Sequence, residues 1–228
     1  MQTSAVVIGA TGGIGAAVVE RLGASGRFAV VHALSRSGTG LDLEDEASIA
    51  AAAARVSEGP PPALVFVATG VLHDGHEPER SHRALTAEHL LRDYRVNAVG
   101  PALVAKHFLP LLPRDRRAVF AALSARVGSI GDNRLGGWHA YRASKAALNM
   151  LLRNLAIELA RTHPQAVVAG LHPGTVETAL SAPFRKGVAA AKLFTPDHSA
   201  GRLLEVLDGL TPADAGGVFA WDGARISA

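Results

Sequence analysis

Ala5-Val6-Val7-Ile8-Gly9-Ala10-Thr11-Gly12-Gly13-Ile14-Gly15 joins a short, β-branched apolar run to a glycine turn with the spacing G-x-x-x-G-x-G. Helical periodicity begins at once and runs from Ile14 to Ser25. Glycine lets the chain turn sharply and removes the Cβ that would hold a pyrophosphate away. It also leaves the helix N-terminus free to offer N–H groups to an anion. Because the turn follows the first strand and opens the first helix, Gly9, Thr11, Gly12, Gly13, Ile14 and Gly15 stand as candidate dinucleotide contacts. The plain alternative is an ordinary strand-to-helix turn.

Outward from this unit, apolar runs recur at Ala29 to Leu34, Ala63 to Ala68, Ala118 to Leu123, Ala166 to Leu171 and Val218 to Trp221. They are almost continuously hydrophobic, which suits strands covered on both faces of a parallel sheet. Helical patterns fill the intervals at Glu44 to Val56, Thr86 to Leu112, His139 to Arg161 and Pro196 to Leu207. The alternation predicts an α/β fold, a doubly wound parallel sheet of Rossmann type. Only Ser35 to Leu41 separate the second strand from Asp42, too little for a crossover helix, so a third strand is expected there through a tight connection. Glu58-Gly59-Pro60-Pro61-Pro62 reads as a loop and not a boundary, and residues 1–228 are expected to form one domain.

With 48% hydrophobic and 19% charged residues, the chain can bury a large core, and disorder is excluded as its main state. Zero cysteines exclude a disulfide scaffold, a thiolate nucleophile and cysteine-held zinc, and fit a reducing compartment. The net charge of +3 is mild. The run Arg114-Asp115-Arg116-Arg117 is short and broken by an acid, so nucleic acid is not expected as a partner. No apolar stretch is long enough to span a bilayer, and no basic leader precedes the first strand, so the expected location is cytoplasmic. His73-Asp74-Gly75-His76 and His82 lie in a polar loop without a compact ligand set, and no metal site is expected. Ser124, His139 or His172 with an aspartate lack the G-x-S-x-G elbow of a hydrolase.

After the second strand, Ser35-Arg36 places an arginine where a dinucleotide site holds the ribose. Its planar fork suits the 2′-phosphate of NADP, so NADP(H) is favoured over NAD(H); otherwise Arg36 is a solvated loop residue. Tyr141-Arg142-Ala143-Ser144-Lys145 opens a long helix and puts Tyr141 and Lys145 one turn apart on one face. A phenol with an ordinary pKa of about 10 becomes a usable acid-base when a neighbouring ammonium stabilises its phenolate. The stripe continues through Leu148, Leu152, Leu155 and Leu159, so by itself the pair also reads as a packed face with a snorkelling lysine.

Together these segments resemble the classical short-chain dehydrogenase/reductase family along nearly the whole chain. The resemblance rests on the Gly9 to Gly15 turn, Asp42-Leu43, Ala68-Thr69-Gly70, Asn97, Tyr141-x-x-x-Lys145 and Pro173-Gly174-Thr175-Val176-Glu177-Thr178. Ser124 to Ser129, with Asn133 and Gly136-Gly137, is similar to the subgroup of C-factor-type signalling proteins and small carbonyl reductases. The resemblance implies a carbonyl–alcohol oxidoreductase in which Tyr141 is the general acid or base. It implies that Lys145 holds the nicotinamide ribose and lowers the tyrosine pKa, and that Asn97 positions a water. Asp42 and Leu43 would meet the adenine, Ala68, Thr69 and Gly70 the adenosine ribose, and Pro173, Gly174, Val176 and Thr178 the nicotinamide.

Two departures stand out. Where the family pairs serines before x-x-Gly, this chain reads Ser124-Ala125-Arg126-Val127-Gly128. Ser124 is taken as the catalytic donor to the substrate carbonyl; the alternatives are Ser129, or an absent donor and weak catalysis, since a lost oxyanion donor costs about 100-fold or more. Val67-Ala68-Thr69-Gly70 also replaces the family's Asn-Asn-Ala-Gly. A substrate lid is expected near 179–195, with Leu180, Phe184, Val188, Leu193 and Phe194 among Arg185, Lys186 and Lys192. The partners implied are a small-molecule carbonyl or alcohol and further copies of the chain, as a homodimer or homotetramer through the helices at Thr86 to Leu112 and His139 to Arg161. The alternative function is a dinucleotide-binding regulatory or signalling protein with weak or lost catalysis. An extended-type sugar-nucleotide epimerase shares Tyr-x-x-x-Lys but needs a longer substrate portion.

Overall fold

All five residues of β1 (Ser4–Ile8) are buried, and its side chains alternate between two cores, Val6 and Ile8 on one face and Ala5 and Val7 on the other. A sheet covered on both sides is the physical reason for the continuous apolar run. In this computed structural model the described residues are 2–73, 75–184, 189 and 192–227. α1 (Gly13–Ser25) follows the glycine turn and ends on Gly26, whose φ of 63° is the left-handed conformation that closes helices.

The chain continues through β2 (Val30–Leu34), α2 (Arg36–Thr39), α3 (Glu46–Ser57), β3 (Pro62–Val67), α4 (Ala87–Tyr94), α5 (Gly100–Phe108), β4 (Ala118–Leu123), α6 (His139–Leu159) and β5 (Ala166–His172). Then come β6 (Thr175–Val176), β7 (Leu193–Phe194), α7 (Pro196–Gly209), β8 (Val218–Ala220) and β9 (Arg225–Ile226). The main sheet has seven strands in the order β2-β1-β3-β4-β5-β8-β9, parallel except for β9. β6 and β7 form a small separate pair. α1 and α7 cover one face; α3, α5 and α6 cover the other. Phe66, Phe108 and Phe120 are wholly enclosed, each contributing about 2–3 kcal/mol by leaving water. The doubly wound parallel sheet is therefore present. Its strand order reverses between β1 and β3, where ligands of such sheets bind.

Two expectations are corrected. The third strand near Asp42 does not form. Arg36–Thr39 instead close one helical turn, with Ser35 Oγ accepting from Gly38 N at 3.0 Å and Thr39 Oγ1 donating to the Ser35 carbonyl at 3.0 Å. Gly40 leaves that turn at φ 76°, and Leu41 and Leu43 then drop into the core. β2 is consequently an edge strand, with Val30 40% exposed. The single helix expected from Thr86 to Leu112 is interrupted at Arg95–Val99 by a π turn, in which Gly100 N donates to the Arg95 carbonyl. Pro101 explains the break: lacking an N–H, it cannot bond the Asn97 carbonyl four residues back, and its ring crowds that position.

Candidate active site

The carboxyl ends of β1, β3, β4 and β5 lie side by side at one end of the sheet. Gly9 N and Ala10 N both donate to the Leu34 carbonyl, at 2.9 and 3.1 Å, which ties the glycine turn to β2. Gly9 sits at φ 84°. A Cβ on Gly15 would lie 2.1 Å from the Gly9 carbonyl oxygen, so helix and turn approach as only glycine allows. Thr11, Gly12 and Gly13 are exposed and Ile14 is half-buried. α1 starts at Gly12 with neither a side-chain cap nor an acid in its first turn, an arrangement that leaves N–H groups and positive dipole toward solvent. Gly13 faces the Thr178 methyl, where a Cβ would come within 2.9 Å, so the segment after β5 closes over the turn.

Around the turn, Ala68 N donates to the Ile8 carbonyl at 2.7 Å, and Thr69 Oγ1 is a buried hydroxyl with no hydrogen-bond partner. A Cβ on Gly70 would meet Asn97 Oδ1 at 3.3 Å and Lys145 Nζ at 3.4 Å, so Gly70 borders both side chains. Arg36 is exposed at the start of α2. Asp42 and Leu43 are more engaged than the sequence indicates: Asp42 Oδ1 accepts from Glu44 N at 3.0 Å, while Leu43 is buried against Gly100.

Tyr141 and Lys145 lie on one face of α6, 8% and 2% exposed. Lys145 Nζ donates to the Leu123 carbonyl at 2.8 Å and stands 5.8 Å from the Tyr141 ring centroid. Burial lowers the Lys145 pKa to about 8, against the opposing charge of Asp93. The Tyr141 phenol departs from expectation. Its pKa is raised, first by burial and then by Asp93, not lowered by the ammonium. Lys145 lies over the ring and spends one proton on Leu123, while the apolar surroundings disfavour phenolate. Asn97 is fully buried: Oδ1 accepts from Val71 N, and Nδ2 donates to the Val71 carbonyl and to Ser144 Oγ, at 2.9, 2.9 and 3.1 Å. Its side chain braces the loop after β3 against α6.

The serines separate. Ser124 Oγ donates to Asn149 Oδ1 at 2.6 Å, eight residues beyond Tyr141 and so about 12 Å along the helix. Ser129 Oγ is buried and accepts from Asp132 N at 3.0 Å. Ala125 is the residue that packs with Tyr141, together with Leu72 and the half-buried Val127, Trp138, Leu180 and Phe184.

Along the other wall, the Pro173 carbonyl accepts from Ser199 Oγ at 3.0 Å, Gly174 has φ 78°, and Val176 is buried in the β6–β7 pair. His172 is held neutral, its pKa lowered to about 4 chiefly by burial and then by Arg126. In the expected lid, Leu180 and Phe184 join the Tyr141 cluster, whereas Arg185, Lys186 and Val188 lie outside the described residues. Asp74 lies outside them too. His73 reaches the Ala179 carbonyl at 3.2 Å, and among the described residues no three side chains could jointly hold a metal.

Sequence reading missed the two buried carboxyls beside this pair. Asp93 is 1% exposed, its Oδ1 has no hydrogen-bond partner, and its pKa is raised to about 6 by burial and by Glu79. Its place four residues before Asn97 in the expected helix was the available signal. Glu79 is 3% exposed and comes from a loop with no periodicity to mark it.

Comparison with known proteins accords with this geometry. C-signal of Myxococcus xanthus is 37% identical over 138 residues, 60% of this chain and 77% of that protein. The 1-hydroxy-2-glutathionyl-2-methyl-3-butene dehydrogenase of Rhodococcus sp. strain AD45 is 33% identical over 178 residues, 78% of this chain and 74% of that one. NADPH-bound carbonyl reductase from chicken fatty liver superposes with a TM-score of 0.82 at 26% identity, covering 100% of this chain and 95% of its own. The model of the short chain dehydrogenase family matches residues 3–189, and with these relatives and this fold the chain belongs to that family.

Proposed function

We propose that this chain is an NADP(H)-dependent oxidoreductase that interconverts a small-molecule carbonyl and its alcohol, with Tyr141 as the general acid in reduction and the base in reverse. One observation carries the reading: Tyr141 and Lys145, one turn apart and buried, adjoin Asn97 and Gly70 at the end of the sheet where the glycine turn leaves α1 uncapped. The bound dinucleotide would supply or accept the hydride. The residues present fit it. Gly9, Thr11, Gly12, Gly13, Ile14 and Gly15 would cradle the pyrophosphate, Arg36 the 2′-phosphate, and the unpartnered Thr69 hydroxyl with Ala68 and Gly70 a ribose. Asp42 and Leu43 would border the adenine. Lys145 keeps two N–H groups for the other ribose, and Pro173, Gly174, Val176 and Thr178 would flank the nicotinamide. The Tyr141 phenol is protonated at neutral pH, as an acid toward a carbonyl requires, while its raised pKa makes it a weaker acid than a free phenol.

Beside this we propose one domain over residues 1–228, a lid near 179–195, a cytoplasmic setting and a homodimer or homotetramer paired through α4, α5 and α6. Among the described residues no helix is long and apolar enough to cross a membrane. A second reading, a dinucleotide-binding signalling protein with weak or lost catalysis, is favoured by one feature: Ala125 stands against Tyr141 while the Ser124 hydroxyl is committed to Asn149.

The test follows NADPH absorbance with a panel of ketones, aldehydes and quinones for wild type, Tyr141→Phe and Ala125→Ser, repeated with NADH. Turnover that falls at least about 100-fold in Tyr141→Phe supports the first reading, and a preference for NADPH supports Arg36 as the phosphate partner. NADPH binding without turnover in wild type, with turnover appearing in Ala125→Ser, supports the second.

A further inference from the structure

Trp138 is the sole non-glycine residue among those described with positive φ, at 49°. It is the N-cap of α6, three residues before Tyr141, and no side chain of α6 itself caps the helix there. An aromatic residue in the left-handed region is strained and persists only where its surroundings enforce it. The enforcement comes from outside the helix. Glu79, in the loop between β3 and α4, accepts twice at this one point: its backbone carbonyl from Trp138 N at 2.5 Å and its Oε2 from Ala140 N at 3.2 Å. The loop backbone is so close that a Cβ on Gly137 would lie 3.3 Å from the Glu79 carbonyl oxygen.

The outcome is a particular placement of aromatic rings. The Trp138 indole stands edge-on to the Tyr141 ring at 6.3 Å and 73°, and packs on Phe184 of the lid segment at 5.0 Å. Were Trp138 to relax to an ordinary φ, the first turn of α6 would re-form with its Cβ pointing elsewhere, and both the phenol and the apolar wall beside it would move. Glu79 is almost fully enclosed, and its Oε1 has no hydrogen-bond partner. A carboxyl group held under those conditions costs folding free energy, against which stands its bond to the first turn of α6.

We propose that Glu79 is a positioning residue for Tyr141: by capping α6 from a distant loop and holding Trp138 in the left-handed conformation, it fixes the phenol and the Trp138–Phe184 wall against which the substrate carbonyl is presented. The proposal rests on the oxidoreductase reading for its catalytic consequence but not for its structural one, and the two are separable by measurement.

Three variants of the full chain test it: Glu79→Gln, which keeps an acceptor at the right length; Glu79→Asp, which keeps the charge but is one methylene short; and Glu79→Ala. The chain has two tryptophans, so in a Trp221→Phe background the emission of Trp138 reports the clamp without any turnover. Kinetics are read in the otherwise unaltered chain with NADPH and two probes, menadione and phenanthrenequinone. In Asp and Ala variants we expect a shifted Trp138 emission and a kcat lowered on the order of tenfold or more, as misplacement of a reacting group entails. NADPH affinity should stay within about twofold, because the glycine turn is untouched, and Gln should restore both emission and kcat. Should Ala fail to fold, Asp against Gln decides. Unchanged emission in Asp and Ala overturns the side chain's part in the clamp, leaving only the backbone bond to Trp138 N, and so overturns the proposal, as does a Gln variant as impaired as Ala, which would make charge and not reach the operative property. If no form of the protein, wild type included, turns over either quinone or any ketone or aldehyde of the panel while emission shifts as expected, the oxidoreductase reading fails and the clamp stands.

Discussion

Asp93 shows how one buried group couples stability to the site. Its carboxyl is 1% exposed, adjoins Glu79, and has His76 Nε2 at 3.9 Å; Arg92, His89 and Lys145 pull the other way. The balance leaves it raised from 3.8 to about 6. A folded-state pKa above the unfolded one means that the native chain holds the proton more tightly, so stability is greatest below about 4 and declines as pH rises to about 6. The full shift corresponds to roughly 2–3 kcal/mol. Asp93→Asn should therefore raise the melting temperature at pH 7, by about 1–2 kcal/mol in stability, and give no gain near pH 4. A melting-temperature difference that does not vary with pH would refute this account. Lys145 titrates in the opposite sense: lowered from 10.5 to about 8, it lets stability rise as pH climbs through that interval.

At the scale of elements, the strand–turn–helix unit is held by contacts between backbone atoms. Gly15→Ala would drive a methyl to 2.1 Å from the Gly9 carbonyl oxygen, and no rotamer change can relieve a clash with main chain. Overpacking of this kind costs about 1–3 kcal/mol or more, and here it also opens the turn, so NADPH affinity should fall with stability. Gly23 in the same helix has nothing within 4 Å of a Cβ, and Gly23→Ala should gain up to about 1 kcal/mol with affinity unchanged. Calorimetry and NADPH titration on the two variants check the contrast. α4 and α5 teach a related lesson. Their apolar spacing reads as one helix, and it is one continuous helical path, but Pro101 and the π turn displace Asn97 from the α-helical position that spacing alone assigns.

For the whole molecule, α4 and α6 leave large apolar side chains in solvent: Leu91 and Tyr94 at 54% and 43% exposed, Met150 and Ile157 at 62% and 47%. Such a surface on two neighbouring helices suits isologous pairing with a second copy. Met150→Glu would place a charge on this surface, and for a chain that pairs there sedimentation should show the mass shifting toward the monomer; an unchanged mass would refute pairing through α6.

The sequence by itself determined the doubly wound sheet and the local chemistry, because strand alternation, glycine spacing and the Tyr141–Lys145 turn are properties of a few adjacent residues. Only the tertiary structure decided what lies between distant segments. It turned the expected third strand into a capped turn through Ser35 and Thr39, sent the Ser124 hydroxyl to Asn149, and set Glu79 and Asp93 beside α6. It also reversed the direction in which Tyr141 departs from an ordinary phenol. Burial and electrostatic coupling are sums over everything packed around a group, and neighbours 61 residues apart in the chain, such as Glu79 and Ala140, leave no periodicity for a sequence to display.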